Sequence, residues 1–409
     1  MEGNLATATE GQPLRCKAAI CRKPGSPLSI EEIIVAPPLP HEARIRVICT
    51  TLCHSDLTYW NLQVAIVFFS FQSFQILDIK SVNKVSPDNS PRILGHEAVG
   101  VVESVGEGVT EVKKGDLVVP VFLSECGECI DCKSSKSNLC SKFPFVFSTG
   151  MPRDGTSRFK NLKGETIDHF MFVSSFSEYT VVDITQLTKI DPAIPPSMAC
   201  LLSCGVSTGV GAAWKAASVE PGSTVAVFGL GTIGLAVVEG ARLCGATKII
   251  GVDINPAKHE IGKKFGVTDF ILSEESEDKS VSQIIIEMTD GGADYSFECV
   301  GKASLMEEAH ASCRKAWGKT IVVGLEKPGS KLSLNCTELL IGGGKSLEGC
   351  SFGGLKPKSH VPILIKRYMD KELNLEDFVT HEVQFQDINK AFDLLTERKS
   401  LRCVIWMDK

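Results

Sequence analysis

The sequence predicts an α/β fold in which a doubly wound parallel sheet forms one of two domains. Three observations carry that expectation. The chain has 409 residues, too many for one ordinary hydrophobic core. Its content of 43% apolar and 22% charged residues with 36 glycines is that of a folded, loop-rich α/β protein. Between Glu220 and Asp253 the stretch PGSTVAVFGLGTIGLAVVEGARLCGATKIIGVD reads as strand, glycine turn, helix and second strand.

Val225 to Phe228 is a short apolar run suited to a parallel strand buried on both faces. Gly229, Gly231 and Gly234 follow as G-x-G-x-x-G, which permits a tight turn and close approach of a pyrophosphate to a helix N-terminus. KIIGV is the next strand, and Asp253 at its end suits the ribose hydroxyls of NAD while repelling the extra phosphate of NADP. Strand before, helix after and acid at the right distance make this a Rossmann fingerprint rather than an ordinary glycine-rich α/β turn. DYSFECVG and KTIVVG, separated by helix-like stretches, extend the same sheet.

Charge excludes some partners. A net charge of -6 leaves no basic footprint, so neither nucleic acid nor an anionic membrane surface is expected. Leu57 to Leu77 carries no charge, but its apolar core, Val64 to Phe69, would span only about 9 Å as a helix against roughly 30 Å of hydrocarbon. No membrane span is expected there. The N-terminal MEGNLATATEGQPLRCKAAICRK has early acids and no continuous apolar run, which makes the cytoplasm the expected compartment. Sixteen cysteines in a reducing compartment read as metal ligands where clustered and as small buried hydrophobes where scattered.

The cluster lies in the lobe 124–142. ECGECIDCKSSKSNLC spaces Cys126, Cys129 and Cys132 three apart, with Cys140 beyond, among turn-forming Gly, Asp and Ser. Four thiolates on one loop suit a closed tetrahedral structural zinc. The bacterial ferredoxin pattern for an iron–sulfur cluster ends in Cys-x-x-x-Cys-Pro and does not match. Three further segments carry soft ligands: Cys53 in CTTLCHSD, His96 in RILGHEAVG and Cys204 in CLLSCGVSTG. Cys2His with an open fourth position is a catalytic zinc set, and Asp56 is placed to fix the tautomer of His96. Each residue alone reads equally well as core, and spacing does not bring the three together.

Taken together, GHEAVGVVESVGEGV, LSCGVSTGVGAAW, VFGLGTIGLAV, GVDINPAK, FGGLKPK and SLRCVIW resemble the medium-chain zinc-dependent alcohol dehydrogenases, in the plant alcohol dehydrogenase-like group. The resemblance covers nearly the whole chain. It implies a mainly β, barrel-like (GroES-like) catalytic domain from residues 1–205 and 352–409 with the NAD-binding Rossmann domain, 206–351, inserted. It also implies a homodimer and an active site in the cleft between domains. Two zinc ions per subunit are implied, one catalytic on Cys53, His96 and Cys204 with Glu97 behind it, one structural on the four-cysteine lobe. Ser55 would receive the alcohol proton. Gly229, Gly231, Gly234, Asp253 and Lys258 would hold the adenosine and pyrophosphate side of NAD, with His54 and Arg402 on the pyrophosphate and Thr208 and Val323 against the nicotinamide. Phe122, Phe170, Met171 and Leu325 would line the substrate pocket. The implied reaction is reversible hydride transfer between a primary or secondary alcohol and NAD.

Three departures stand out. Thr58 occupies the place where many members end their proton relay with histidine, which predicts a weaker relay and activity that rises with pH. KFPF puts Pro144 where the glutathione-dependent formaldehyde branch carries an arginine, so that activity is not expected; Trp60, Phe122, Phe170 and Met171 instead suggest an apolar pocket. The interval from Cys53 to His96 is roughly twice the family's, with the excess in about 62–90. That stretch reads as a lid, a partner-binding strip or sequence foreign to the fold such as translated intron, and its abrupt change of composition points to the last. An insertion after Trp60 that separated the ligands would leave a non-catalytic NAD- and zinc-binding protein.

Overall fold

The computed structural model describes residues 11–61, 91–146, 148–275, 279–326, 329–341 and 343–408. The stretch 62–90 therefore lies outside them, and with it the three readings of the insertion. The chain forms two compact units, Met1–Cys204 with Lys356–Met369 and Leu375–Lys409, and Gly205–Leu355 with Asp370–Asn374. The expected boundaries at 205/206 and 351/352 thus fall at 204/205 and 355/356. Residues 370–374 stay with the second unit through backbone contacts: Asn374 N donates to Glu239 Oε1 and Arg242 to the Glu372 carbonyl.

In the first unit the described strands are β1 (Leu14–Cys21), β2 (Ser29–Val35), β3 (Glu42–Thr51), β4 (Arg92–Ile93), β5 (Glu97–Val105), β6 (Leu117–Pro120), β7 (Phe159–Asn161), β8 (Thr166–Ile167), β9 (Tyr179–Asp183) and β10 (Leu187–Lys189). The second unit adds β11 (Thr224–Phe228), β12 (Lys248–Asp253), β13 (Asp269–Leu272), β14 (Tyr295–Glu298), β15 (Lys319–Val322) and β16 (Ser346–Gly349), before β17 (Val379–Gln384) and β18 (Arg402–Trp406) return to the first.

Two sheets make the mainly β unit, one ordered β4-β1-β2-β7-β8 and one β10-β6-β5-β3-β18-β17 with β9 also on β3. Ala43, Ile45, Val102, Val118, Val182 and Leu187 come from five strands of the second sheet and close one core, each larger side chain contributing about 1.5–3 kcal/mol by leaving water. Register does the work that spacing alone does not. Antiparallel pairing sets Thr51 of β3 opposite Glu97 of β5, and Val404 of β18 opposite Thr51. Cys53, His96 and Arg402 are each within two residues of those pairs, so they meet at one end of the sheet.

The second unit is built on one parallel sheet, ordered β13-β12-β11-β14-β15-β16. Its strands are short and apolar, as expected for strands covered on both faces: Val225 to Phe228 are all buried. Ser280 starts the helix Val281–Met288 with a reciprocal capping box to Gln283, worth about 1 kcal/mol. The expected α/β class, a doubly wound sheet set into a mainly β chain, is the observed one. Among the described residues no single helix is long and apolar enough to cross a membrane.

Candidate metal centres and nucleotide site

Ligand atoms of Cys53, His96, Glu97 and Cys204 lie within 4.8 Å of one another, and all four residues are buried. Cys204 is brought in by its neighbour: the Ser203 hydroxyl donates to the Ala98 carbonyl at 2.8 Å and accepts from Ala98 N at 3.0 Å. The displacement of Cys53 from His96 contemplated above does not occur. Asp56 Oδ1 accepts from His96 Nδ1 and from Gly95 N, each at 3.0 Å, and Oδ2 accepts from Cys53 N at 3.0 Å. One fully buried carboxylate therefore orients both ligands and fixes the histidine tautomer.

His96 Nε2, the ring atom left over, is buried without a hydrogen-bond partner. An unpartnered imidazole nitrogen facing two cysteine sulfurs fits a zinc ion, whose charge supplies what the lone pair lacks. Cys53 is poised for it. A hydrogen bond from Cys204 lowers the Cys53 thiol well below its usual range against the opposition of burial, helped by Arg402 and His96. The same hydrogen bond and burial push the Cys204 thiol up, and metal binding would favour the thiolate of both.

Behind the ligands, Glu97 accepts from Arg402 Nε and Nη2 at 2.8 Å each and from the Thr51 hydroxyl. Arg402 Nη2 also stands 3.5 Å from Cys53 Sγ, and Nη1 donates to the Leu401 carbonyl. The Arg402 guanidinium is thus buried beside the metal-ligand set and held by Glu97. Burial pushes the Glu97 carboxyl up while Arg402 draws it back.

The helix His54–Asn61 carries the other near residues. Ser55 Oγ lies 3.9 Å from Cys53 Sγ, at the mouth of the ligand set, and His54 is exposed. The Thr58 hydroxyl donates to the His54 carbonyl at 2.9 Å. Its proton is thus already directed into its own helix. The Trp60 indole donates to the Ser26 carbonyl at 2.7 Å and packs on Phe392.

The aromatic wall belongs to other residues. His96 meets Phe170 and Phe122 edge to face at 6.0 and 6.1 Å between centroids; Phe170 meets Tyr59 at 5.0 Å, and Phe122 meets Phe145, which meets Phe172. Sequence reasoning missed Tyr59, Phe145 and Phe172. Tyr59 was findable, three residues from Asp56 and so on the same helical face; the other two arrive by loop packing with no local signal. Met171, Phe172 and Ser174 all have positive φ, from 49° to 59°. For residues with side chains this is strained backbone, of the kind that clusters at functional sites.

The lobe closes as expected. Cys126 and Cys132 sulfurs are 3.8 Å apart and those of Cys129 and Cys140 4.0 Å, close to the edge of about 3.8 Å set by a zinc–sulfur bond of about 2.3 Å in a tetrahedron. Backbone N–H groups of Glu128, Cys129, Cys132 and Phe143 point at these sulfurs from 3.3 to 3.5 Å. Such donors favour thiolates. A hydrogen bond from Ser141 leads in lowering Cys129 to about 5. Lys356 Nζ bonds the carbonyls of Cys132 and Ser134, tying the lobe to the returning chain.

In the second unit, a Cβ on Gly234 would stand 1.8 Å from the Gly229 carbonyl oxygen, whereas one on Gly231 would meet nothing within 4 Å. Gly234 is therefore needed for packing, and Gly231 leaves open the space a pyrophosphate would take. Asp253 Oδ2 accepts from Leu230 N at 2.8 Å, holding the turn to β12, and Lys258 begins the next helix with its ammonium lowered by burial against the pull of Asp253. Thr208 and Val323 are half-buried on this unit, and Leu325 is 70% exposed on it, so nothing in the second unit encloses that side chain. Gly234→Ala is expected to weaken NADH binding at least about tenfold in a fluorescence titration while leaving zinc content unchanged.

A barrel-like unit with two thiol-rich clusters able to ligate metal and a second unit with a glycine-turn parallel sheet is the make-up of a zinc-binding dehydrogenase. The chain belongs to the zinc-dependent alcohol dehydrogenase family: residues 39–192 match the alcohol dehydrogenase GroES-like domain and residues 232–388 the zinc-binding dehydrogenase domain. It is similar to alcohol dehydrogenase-like 7 of Arabidopsis thaliana, 61% identical over 397 residues, 97% of this chain and 96% of that one. It is 46% identical to a class-3 alcohol dehydrogenase of Oryza sativa subsp. japonica over 99% of this chain and 100% of the other. Among solved structures, an alcohol dehydrogenase zinc-binding domain protein from Burkholderia ambifaria matches with TM-score 0.85 at 29% identity, and benzyl alcohol dehydrogenase from Acinetobacter calcoaceticus with 0.82 at 26%. Each match covers 97% of this chain and 100% of the other.

Proposed function

We propose that the protein is an NAD-dependent alcohol dehydrogenase that interconverts an apolar primary or secondary alcohol with its aldehyde or ketone. The observation that carries this is the buried Cys53, His96 and Cys204 set with the bare His96 Nε2. Those three residues would hold a zinc ion supplying Lewis-acid stabilisation of charge on the alcohol oxygen, and the glycine turn would hold NAD as the hydride acceptor. A second zinc would be held by Cys126, Cys129, Cys132 and Cys140.

This chain's own residues do the rest. Asp56 holds His96 in the tautomer that leaves Nε2 free to ligate. Ser55, beside Cys53, takes the alcohol proton. Phe122, Phe170 and Tyr59 keep water from the reacting oxygen and give a substrate an apolar, aromatic surround. Thr58 is the next hydroxyl, but it cannot store a proton near neutral pH, so activity should rise with pH. Thr58→His should raise the rate near neutral pH and flatten the profile, read from kcat between mildly acidic and alkaline pH.

The deciding experiment counts metal and turnover on the full chain. Two zinc ions per chain with NADH formation over a panel of alcohols supports the reading, whereas one zinc and no turnover identifies an NAD- and zinc-binding module. A homodimer is also proposed, supported by Leu340 and Ile341, 82% and 79% exposed on the helix Cys336–Ile341. Sedimentation equilibrium tests it. The described cysteines with free thiols are in keeping with a cytoplasmic location, checked with a fluorescent fusion.

A further inference from the structure

Glu298 ends β14 and has no role in the reaction proposed above. It is fully buried, and its Oε2 has no hydrogen-bond partner. The other oxygen, Oε1, accepts from Val300 N at 2.9 Å and Gly301 N at 2.8 Å. Its main-chain carbonyl accepts from Val323 N and Gly324 N, both at 2.9 Å. One residue thus ties the loop after β14 to the loop after β15.

The fit around it leaves no slack. A Cβ on Gly324 would stand 2.6 Å from Glu298 Oε2 and 2.1 Å from Gly301 N, and one on Gly301 would stand 2.3 Å from the Leu325 carbonyl oxygen. A Cβ on Gly229 would meet Val300 Cγ2 at 2.5 Å, so the same loop is wedged against the glycine turn. A second tie joins the loops where Ala303 N donates to Glu326 Oε2 at 2.7 Å. A turn that needed only an acceptor could use an amide or hydroxyl, without burying an ionisable group at greater cost.

We propose that Glu298 is a positioning residue for the nicotinamide half of the dinucleotide, its carboxylate fixing the Val300–Gly301 turn that packs against Gly324 and Leu325 on one side and the glycine turn on the other. The inference rests on the NAD-dependent reading above, in which Val323 lies against the nicotinamide. The adenosine half is held elsewhere, by the turn 229–234 and Asp253. Loosening the clamp should therefore discriminate between ligands that carry the nicotinamide and ligands that lack it.

The test uses zinc-loaded full-length protein, with NADH and ADP-ribose titrated against wild type, Glu298→Gln, Glu298→Ala and Glu298→Asp, and Tm and kcat recorded alongside. Glu298→Gln keeps an acceptor for Val300 and Gly301, so both affinities should stay within about twofold and kcat should be largely retained. Glu298→Ala should raise the Kd for NADH about tenfold and lower kcat, with the Kd for ADP-ribose changed less than about twofold. If the alanine variant does not fold, Glu298→Asp, which withdraws the carboxylate by one methylene, should show the same selective loss. Equal weakening of both ligands, or no weakening of either in the alanine and aspartate variants, overturns the inference while leaving the NAD reading intact. Wild-type protein that binds neither ligand overturns the NAD reading, and the inference with it.

Discussion

Cys53→Ser protein is expected to hold one zinc per chain and to lose activity by at least about a thousandfold, since Lewis-acid stabilisation by a catalytic metal is worth several kcal/mol. The loss should fall on kcat and kcat/KM together, with NADH affinity unchanged, because Cys53 and the glycine turn belong to different units. Serine is close in size to cysteine, so the ligand end of the barrel should keep its packing. Elemental analysis beside steady-state kinetics checks this. Two zinc ions retained with full activity would mean that the metal does not sit on Cys53, His96 and Cys204. The lobe provides the internal control, since its four cysteines should hold their zinc in the same variant.

Arg402→Leu should be the most destabilising of the single changes considered, by about 3–5 kcal/mol, because it leaves Glu97 as an uncompensated charge at a buried site. The cost should fall when Glu97→Gln is combined with it, since removing the carboxylate's charge removes the penalty. Thermal unfolding of the two single variants and the double variant gives the coupling directly. If Arg402→Leu unfolds like wild type, the guanidinium is not holding the base of the metal-ligand set. The result also separates a structural role of Arg402 from contact with the cofactor. A residue that mainly met pyrophosphate would, when lost, weaken NAD without lowering the melting temperature of the barrel.

Much of this was legible in the sequence because some signals are local. The glycine turn, its flanking strand and Asp253 lie within one βαβ unit, where chain geometry alone sets the outcome. The lobe is similar, since Cys126 to Cys140 lie on one loop and their sulfurs have little choice but to meet. Asp56 was recognisable because a carboxylate three residues from one ligand can reach a second. What was not legible depends on tertiary packing. Trp60 is as apolar as Phe170, and nothing in its neighbours says that its indole will seek the Ser26 carbonyl. Arg402 reads as a free cation until the fold buries it against Glu97. Phe145 and Phe172 reach the aromatic wall through loops whose path, including the left-handed backbone at Met171, Phe172 and Ser174, has no composition signature.

The pairing of Thr51 with Glu97 also has an evolutionary meaning. Because the ladder between β3 and β5 sets the two ligands side by side, a change in the length of the chain that joins them is expected to leave the pair in place. Lineages can therefore trial new connections at this place without first losing the metal. A laboratory can do likewise, by swapping 62–90 for a short glycine–serine bridge and asking whether both zinc ions remain.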